Sequence, residues 1–196
     1  MINPSLPLTD LHRHLDGNIR ASTIWQLAQE YAITLKQKDQ QELLHAAQIQ
    51  GKTTDLLAFL KTMELGVSIL ASEQACYRVA YENVEDAKRA GLSYVELRFS
   101  PVFMAKAHNL PIEQVVDAVV AGCKAGSQHY AIPVNLIGIL SRSYAEQSCH
   151  LELDALLRAK DDIVALDLAG DEKGFPALRF VQHFKLARDA GWNITV

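Results

Sequence analysis

From residue 92 to the end, the chain switches repeatedly between a two-residue and a 3.6-residue hydrophobic period, and few folds accept that rhythm. Leu92 to Pro101 alternates strictly, with Val95, Leu97 and Phe99 on one face and Tyr94, Glu96, Arg98 and Ser100 on the other. That is a strand closed by a proline. Pro111 then opens a helix whose buried side (Ile112, Val115, Val116, Val119, Val120) runs as far as Gly126. Strand patterns recur at 133–141, 163–170 and from Asn193 to Val196, separated by helical patterns at 146–158 and 176–190, the latter ended by Gly191. Strand and helix alternating across short connections predict βα units on a parallel sheet. No glycine-rich phosphate loop follows the first strand, so a dinucleotide-binding fold has no support.

The first half reads as one strand and several helices. A short apolar-rich run, Leu8 to Gly17, is the first strand with its turn. Helical spacing follows at 21–31, with Ile24, Leu27, Ala28 and Tyr31 on one face. Residues 36–50 are polar, Gln-rich and weakly patterned, suited to a short surface helix. Residues 55–70 carry the stripe Leu56, Phe59, Leu60, Met63, Val67 and Leu70, for which core packing is the simplest reading. A helix over 72–90 has Ser72 as its N-cap and Gly91 as its stop. The polar residues of interest (His12 and His14, Arg98 and Ser100, Arg142, Gly170) all fall at strand C-termini. In a (β/α)₈ TIM barrel, that end carries the chemistry. Glu96 and Asp167, charged within apolar strands, suit inward-pointing positions or an internal ion pair.

Composition narrows the partners. A net charge of −4, with no run of Lys or Arg, argues against nucleic acid. Cys76, Cys123 and Cys149 are odd in number and far apart, which reads as reduced thiols. There is no signal-peptide pattern and no apolar run of membrane-spanning length. The expectation is a cytoplasmic protein with no membrane partner, 196 residues being enough for one sizeable core.

The densest chemistry lies in the first strand. Side chains at i and i+2 of a strand share a face, so His12 and His14 project side by side, able to share one metal ion through neutral imidazoles. Asp10 lies on the same face one pleat below, and Arg13 and Leu15 point the other way. Spacing alone leaves open that the pair is simply a partly exposed strand end.

The hexad His12-Arg13-His14-Leu15-Asp16-Gly17, followed by Asn18-Ile19-Arg20 and a helix, resembles the opening strand of the adenosine deaminase family of metal-dependent amidohydrolases. Phe59-Leu60 with Met63 resembles the helix lining that family's substrate mouth. Tyr94 to Pro101 and Leu166 to Glu172 are similar to its second and fourth strands. The likeness covers the whole chain, is strongest to the bacterial enzymes, and makes residues 1–196 the N-terminal part of a single barrel domain. Adenine deaminases, which tend to carry Glu at the position of Asp16, fit less well. The resemblance implies that His12 and His14 are ligands of one catalytic Zn2+, that Asp16 hydrogen-bonds the ribose end of a nucleoside, and that Gly170 offers its N–H to the purine. His14 also borders the substrate. The implied reaction is hydrolytic deamination of adenosine or 2′-deoxyadenosine, in purine salvage, by a zinc-activated water and a proton-donating carboxylic acid.

The family's strand five leads into a His-Ala-Gly-Glu stretch with the third histidine and the catalytic Glu, and a later His and an Asp-Asp pair complete its site. None of these lies within the 196 residues, so no catalytic residue is assigned here. If the chain ends at Val196, the expectation is an inactive, partly open sheet that self-associates along its first and fifth strands. A non-catalytic nucleoside-binding fragment and a related amidohydrolase such as adenine deaminase are the competing readings. A cytidine-deaminase type of zinc site is excluded, because its paired Cys-x-x-Cys is absent.

Overall fold

The computed structural model describes residues 6–49, 51 and 56–195, without the side chains of residues 56–58. Within them β1 (Leu8–His14), β2 (Leu92–Phe99), β3 (Val134–Ser141), β4 (Ile163–Ala169) and β5 (Asn193–Ile194) form one sheet in sequence order. Every neighbouring pair is parallel. Parallel neighbours in sequence order require a crossover each time, and helices supply it. The α/β reading and its (β/α)₈ class stand, as half a barrel. Val196 lies outside the described residues.

In β2 the apolar face is the face the helices cover. Val95, Leu97 and Phe99 are fully buried. α4 (Glu73–Arg89) and α6 (Ile112–Tyr130) lie against each other over this part of the sheet. Their approach depends on two glycines. A Cβ on Gly122 would lie 2.4 Å from the Tyr77 carbonyl oxygen, and one on Gly126 would lie 2.8 Å from Val84 Cβ. That is why α6 runs through Gly126 to Tyr130 rather than stopping there: the residue serves close packing, and Ala131 at φ +49° ends the helix.

The other helices are α1 (Ala21–Glu30), α2 (Gln40–Ala46), α3 (Leu56–Val67), α5 (Pro101–Ala105), α7 (Ala145–Arg158) and α8 (Val181–Asp189). Ser72 caps α4, its Oγ accepting from Ala75 N at 3.2 Å, and Gly91 follows at φ +76°. Asp39 caps α2 in the same way, accepting from Glu42 N at 2.8 Å. The helix expected at 176–190 is divided, with a 3-10 turn at Ala177–Phe180 before α8. The start expected at Asp55 lies outside the described residues.

Two departures bear on the site. Pro101 does not merely end β2. Ser100 and Pro101 begin α5, with Ser100 Oγ accepting from Phe103 N at 3.0 Å. In β1, the four residues from Asp10 to Arg13 stand against only three of β2, Val95 to Leu97. That extra residue is a bulge, and a bulge re-aims side chains.

Candidate active site

The C-terminal ends of β1 to β4 open into a cavity of about 710 Å³. His12, His14 and Asp16 line it from β1, Ser100 from β2, Ser141 from β3, and Gly170 from the turn after β4. Phe59, Leu60 and Met63 of α3 line it as well, together with Lys61 and Glu64 of the same helix and with Phe103 and Tyr144. The Lys106 ammonium sits 4.5 Å from the centroid of the Tyr144 ring.

The two imidazoles lie with ring centroids 5.5 Å apart and planes tilted by 37°. Arg13 also borders the cavity, its guanidinium bonded to Asp10. Asp10 fastens the bulge, its carboxylate accepting from His12 N at 3.1 Å and from Arg13 Nε at 2.9 Å. Leu15 turns away and is fully buried. Although His12 as a residue is exposed, desolvation of its ring is the main force lowering its pKa. The positive charge of Arg98 lowers it further. The neutral form thus favoured is the one that binds metals. Among the described residues, no group of three or more His, Cys, Asp or Glu side chains is placed to hold a metal ion. The pair therefore fits as part of a ligand set.

Asp16 is 2% exposed. Its Oδ2 accepts from Ser100 N at 2.9 Å, whereas Oδ1 is buried with no hydrogen-bond partner. His14 Nδ1 stands 3.6 Å from that oxygen, beyond hydrogen-bond range. A buried carboxylate oxygen without a partner is costly, and here it belongs to a cavity-lining residue that a hydroxyl could satisfy.

Gly170 adopts φ +112°, and a Cβ there would lie 2.6 Å from Ser143 Oγ. Ser143 Oγ accepts from Asp171 N at 2.9 Å. Arg142, buried, donates to the carbonyls of Leu168 (3.0 Å) and Phe175 (3.4 Å). The turn after β4 is thus held by the residues that follow β3. Beneath the cavity, Arg98 and Asp167 form a buried pair at 2.7 Å, and Arg98 also donates to Leu11 O at 3.0 Å. Glu96 accepts from the Tyr94 hydroxyl at 2.7 Å.

Glu152 of α7 is a part of the site that sequence reasoning missed. It is fully buried, and desolvation is the main force pushing its carboxyl up to about 7, against the hydrogen bonds it accepts. Its signal was legible. Glu152 occupies the buried stripe of α7 with Cys149, Leu153 and Leu156, where a carboxylate needs a reason to be.

A parallel sheet whose polar and metal-competent side chains gather at the strand C-termini defines the class of barrel enzymes. The adenosine deaminase family profile matches residues 7–196. Adenosine deaminases of Pectobacterium atrosepticum and Klebsiella pneumoniae are 55% and 56% identical over 196 residues. The match takes in all of this chain and 58% and 59% of theirs. The chain belongs to the adenosine deaminase family, and it spans under two thirds of the length of those relatives.

Among solved structures, an adenine deaminase of Arthrobacter aurescens superposes with a TM-score of 0.85 at 25% identity, over 96% of this chain and 56% of that one. An amidohydrolase of Burkholderia ambifaria with bound Zn gives 0.84 at 22% identity, over 97% and 51%, and shares the fold. No helix among the described residues is long and apolar enough to cross a membrane.

Proposed function

We propose that these 196 residues are the N-terminal part of one barrel domain that deaminates adenosine and 2′-deoxyadenosine by hydrolysis, in purine salvage in the cytoplasm. The observation that carries this reading is the convergence on one cavity of two histidines, a buried carboxylate oxygen without a partner, and a glycine turn. His12 and His14 would hold Zn2+ as two of its ligands. When bound, zinc supplies a water acidified towards neutral pH for attack at purine C6.

The chain's own residues do the binding. Asp16 Oδ1 accepts a charge-assisted hydrogen bond from a ribose hydroxyl, fixing the sugar end. The Gly170 N–H meets a purine nitrogen, the absent side chain allowing close approach. His14 borders the ring, and Phe59, Leu60, Met63 and Phe103 offer apolar surface to the base. A catalytic zinc takes three protein ligands and a water. The ligand is a small nucleoside, not nucleic acid.

The test is equilibrium binding of adenosine, 2′-deoxyadenosine and adenine to the chain, with zinc content and loss of adenosine absorbance followed in parallel. Binding of both nucleosides in preference to adenine supports the reading. Preference for adenine, or no binding of any of the three, overturns it.

A further inference from the structure

Glu152 is a fully buried carboxylate that the proposed chemistry does not use. It belongs to α7, yet its oxygens hold the ends of two strands. Oε2 accepts from Ser141 N at 2.7 Å, and Oε1 accepts from Val102 N at 3.1 Å and from the Ser100 hydroxyl at 2.6 Å. With Glu152 ionised, at a pH above about 7, the Ser100 hydroxyl donates its hydrogen to Glu152 and Ser100 Oγ must accept its remaining bonds. The Ser141 hydroxyl donates to it at 2.6 Å and Phe103 N at 3.0 Å. The hydroxyl is then saturated and Ser100 has no freedom to turn. Its backbone N–H in turn points at Asp16 Oδ2, 2.9 Å away. With Oδ2 engaged, Oδ1 is the oxygen left to a ligand.

We propose that Glu152, acting through Ser100, is a positioning residue that fixes the orientation in which the Asp16 carboxylate presents its free oxygen to the sugar. A carboxylate rotates freely about its last bond unless one oxygen is pinned. Here the pin is a backbone amide, and that amide is fixed by a side chain on a different helix. Buried networks that are fully satisfied are rigid, and removing one member leaves the others short of partners. The inference rests on the reading that Asp16 binds a ribose hydroxyl, and its test separates the two.

Adenosine and its analogues lacking the 2′, 3′ or 5′ hydroxyl are titrated into the unsubstituted chain and into the Glu152→Gln variant. In Gln the amide NH₂ faces a backbone N–H where the carboxylate accepted, so one anchor is lost. In the unsubstituted chain, removing one particular hydroxyl weakens binding about tenfold, as losing a charge-assisted hydrogen bond does. In Glu152→Gln, adenosine itself binds about tenfold less tightly, and removal of that same hydroxyl then costs nothing further. A merely structural role for Glu152 lowers affinity for all four ligands equally, which overturns the proposal. If no hydroxyl matters to the unsubstituted chain, the Asp16 reading fails and the proposal with it. Ser100→Ala, which keeps the amide but loses the hydroxyl, covers the case in which Glu152→Gln does not fold. It gives the same loss of hydroxyl discrimination, and retained discrimination in it overturns the proposal.

Discussion

Replacing Asp167 by Asn tests the electrostatics beneath the cavity. Arg98 is 1% exposed and its Nη1 lies 2.7 Å from Asp167 Oδ2. At an effective dielectric of about 20, charges at that separation attract by roughly 6 kcal/mol, most of which offsets the cost of removing both from water. Taking away one partner leaves the guanidinium buried without a counter-charge, with Nε already lacking any partner and Leu11 O as its other acceptor. Breaking such a pair costs about 3–5 kcal/mol. Asn keeps an oxygen for Leu168 N, which Asp167 Oδ1 binds at 2.7 Å, so the loss sits at the lower end, about 3 kcal/mol. With a urea slope of about 2 kcal/mol/M, the unfolding midpoint falls by about 1.5 M. The double variant Arg98→Met with Asp167→Leu removes both charges and returns to within about 1–2 kcal/mol of the parent. A single substitution costing under about 1 kcal/mol, or a double variant as unstable as the two singles summed, would refute the reasoning.

Three further outcomes follow from the same structure. Glu152 has its folded pKa raised from 4.5 to about 7, so the folded state holds the proton more tightly. Its contribution, about 3 kcal/mol, is fully present below pH 4.5 and is lost as pH climbs through 7. Urea unfolding between pH 4.5 and 8 reads this, and Glu152→Gln flattens that part of the profile; an unchanged slope would count against a buried, proton-holding carboxyl. Gly170→Ala forces a Cβ to 2.6 Å from Ser143 Oγ at φ +112°, costing about 1–3 kcal/mol and adenosine affinity. Equal stability and equal affinity would show the turn free to relax. Gly122→Ala pushes α6 off the Tyr77 carbonyl and lowers stability by about 1–3 kcal/mol, whereas a preserved thermal midpoint would mean that the helices part without cost.

The architecture was legible because strand alternation is a local signal. Val95, Leu97 and Phe99 announce β2 from their spacing alone, and the helices over it expose their stripes in the same way. Signals that depend on a partner were harder to read. Gly126 looks like a helix stop until Val84 is placed against it. Ser100-Pro101 looks like the end of a strand, although Ser before Pro is equally the N-cap and first turn of a helix, and α5 begins there.

The candidate site divides likewise. His12, His14, Asp16 and Gly170 were named from the sequence, and all four line one cavity. Period-two counting assumes an unbroken ladder, and the β1 bulge between Asp10 and Arg13 is a feature that only pairing with β2 reveals. Glu152 went unnamed because a helix's surface and core carboxylates differ only by position on the stripe. Its hydrogen bonds reach residues 11 and about 50 positions away in sequence.

The proposed chemistry needs the His12 and His14 rings to take one divalent ion beside the nucleoside cavity. Crystals of the chain grown with zinc and measured at the zinc absorption edge show whether they do. The expected result is an anomalous peak about 2.0–2.1 Å from one ring nitrogen of each histidine. A peak bound to neither ring, or the same peak retained after both residues are changed to Ala, contradicts it.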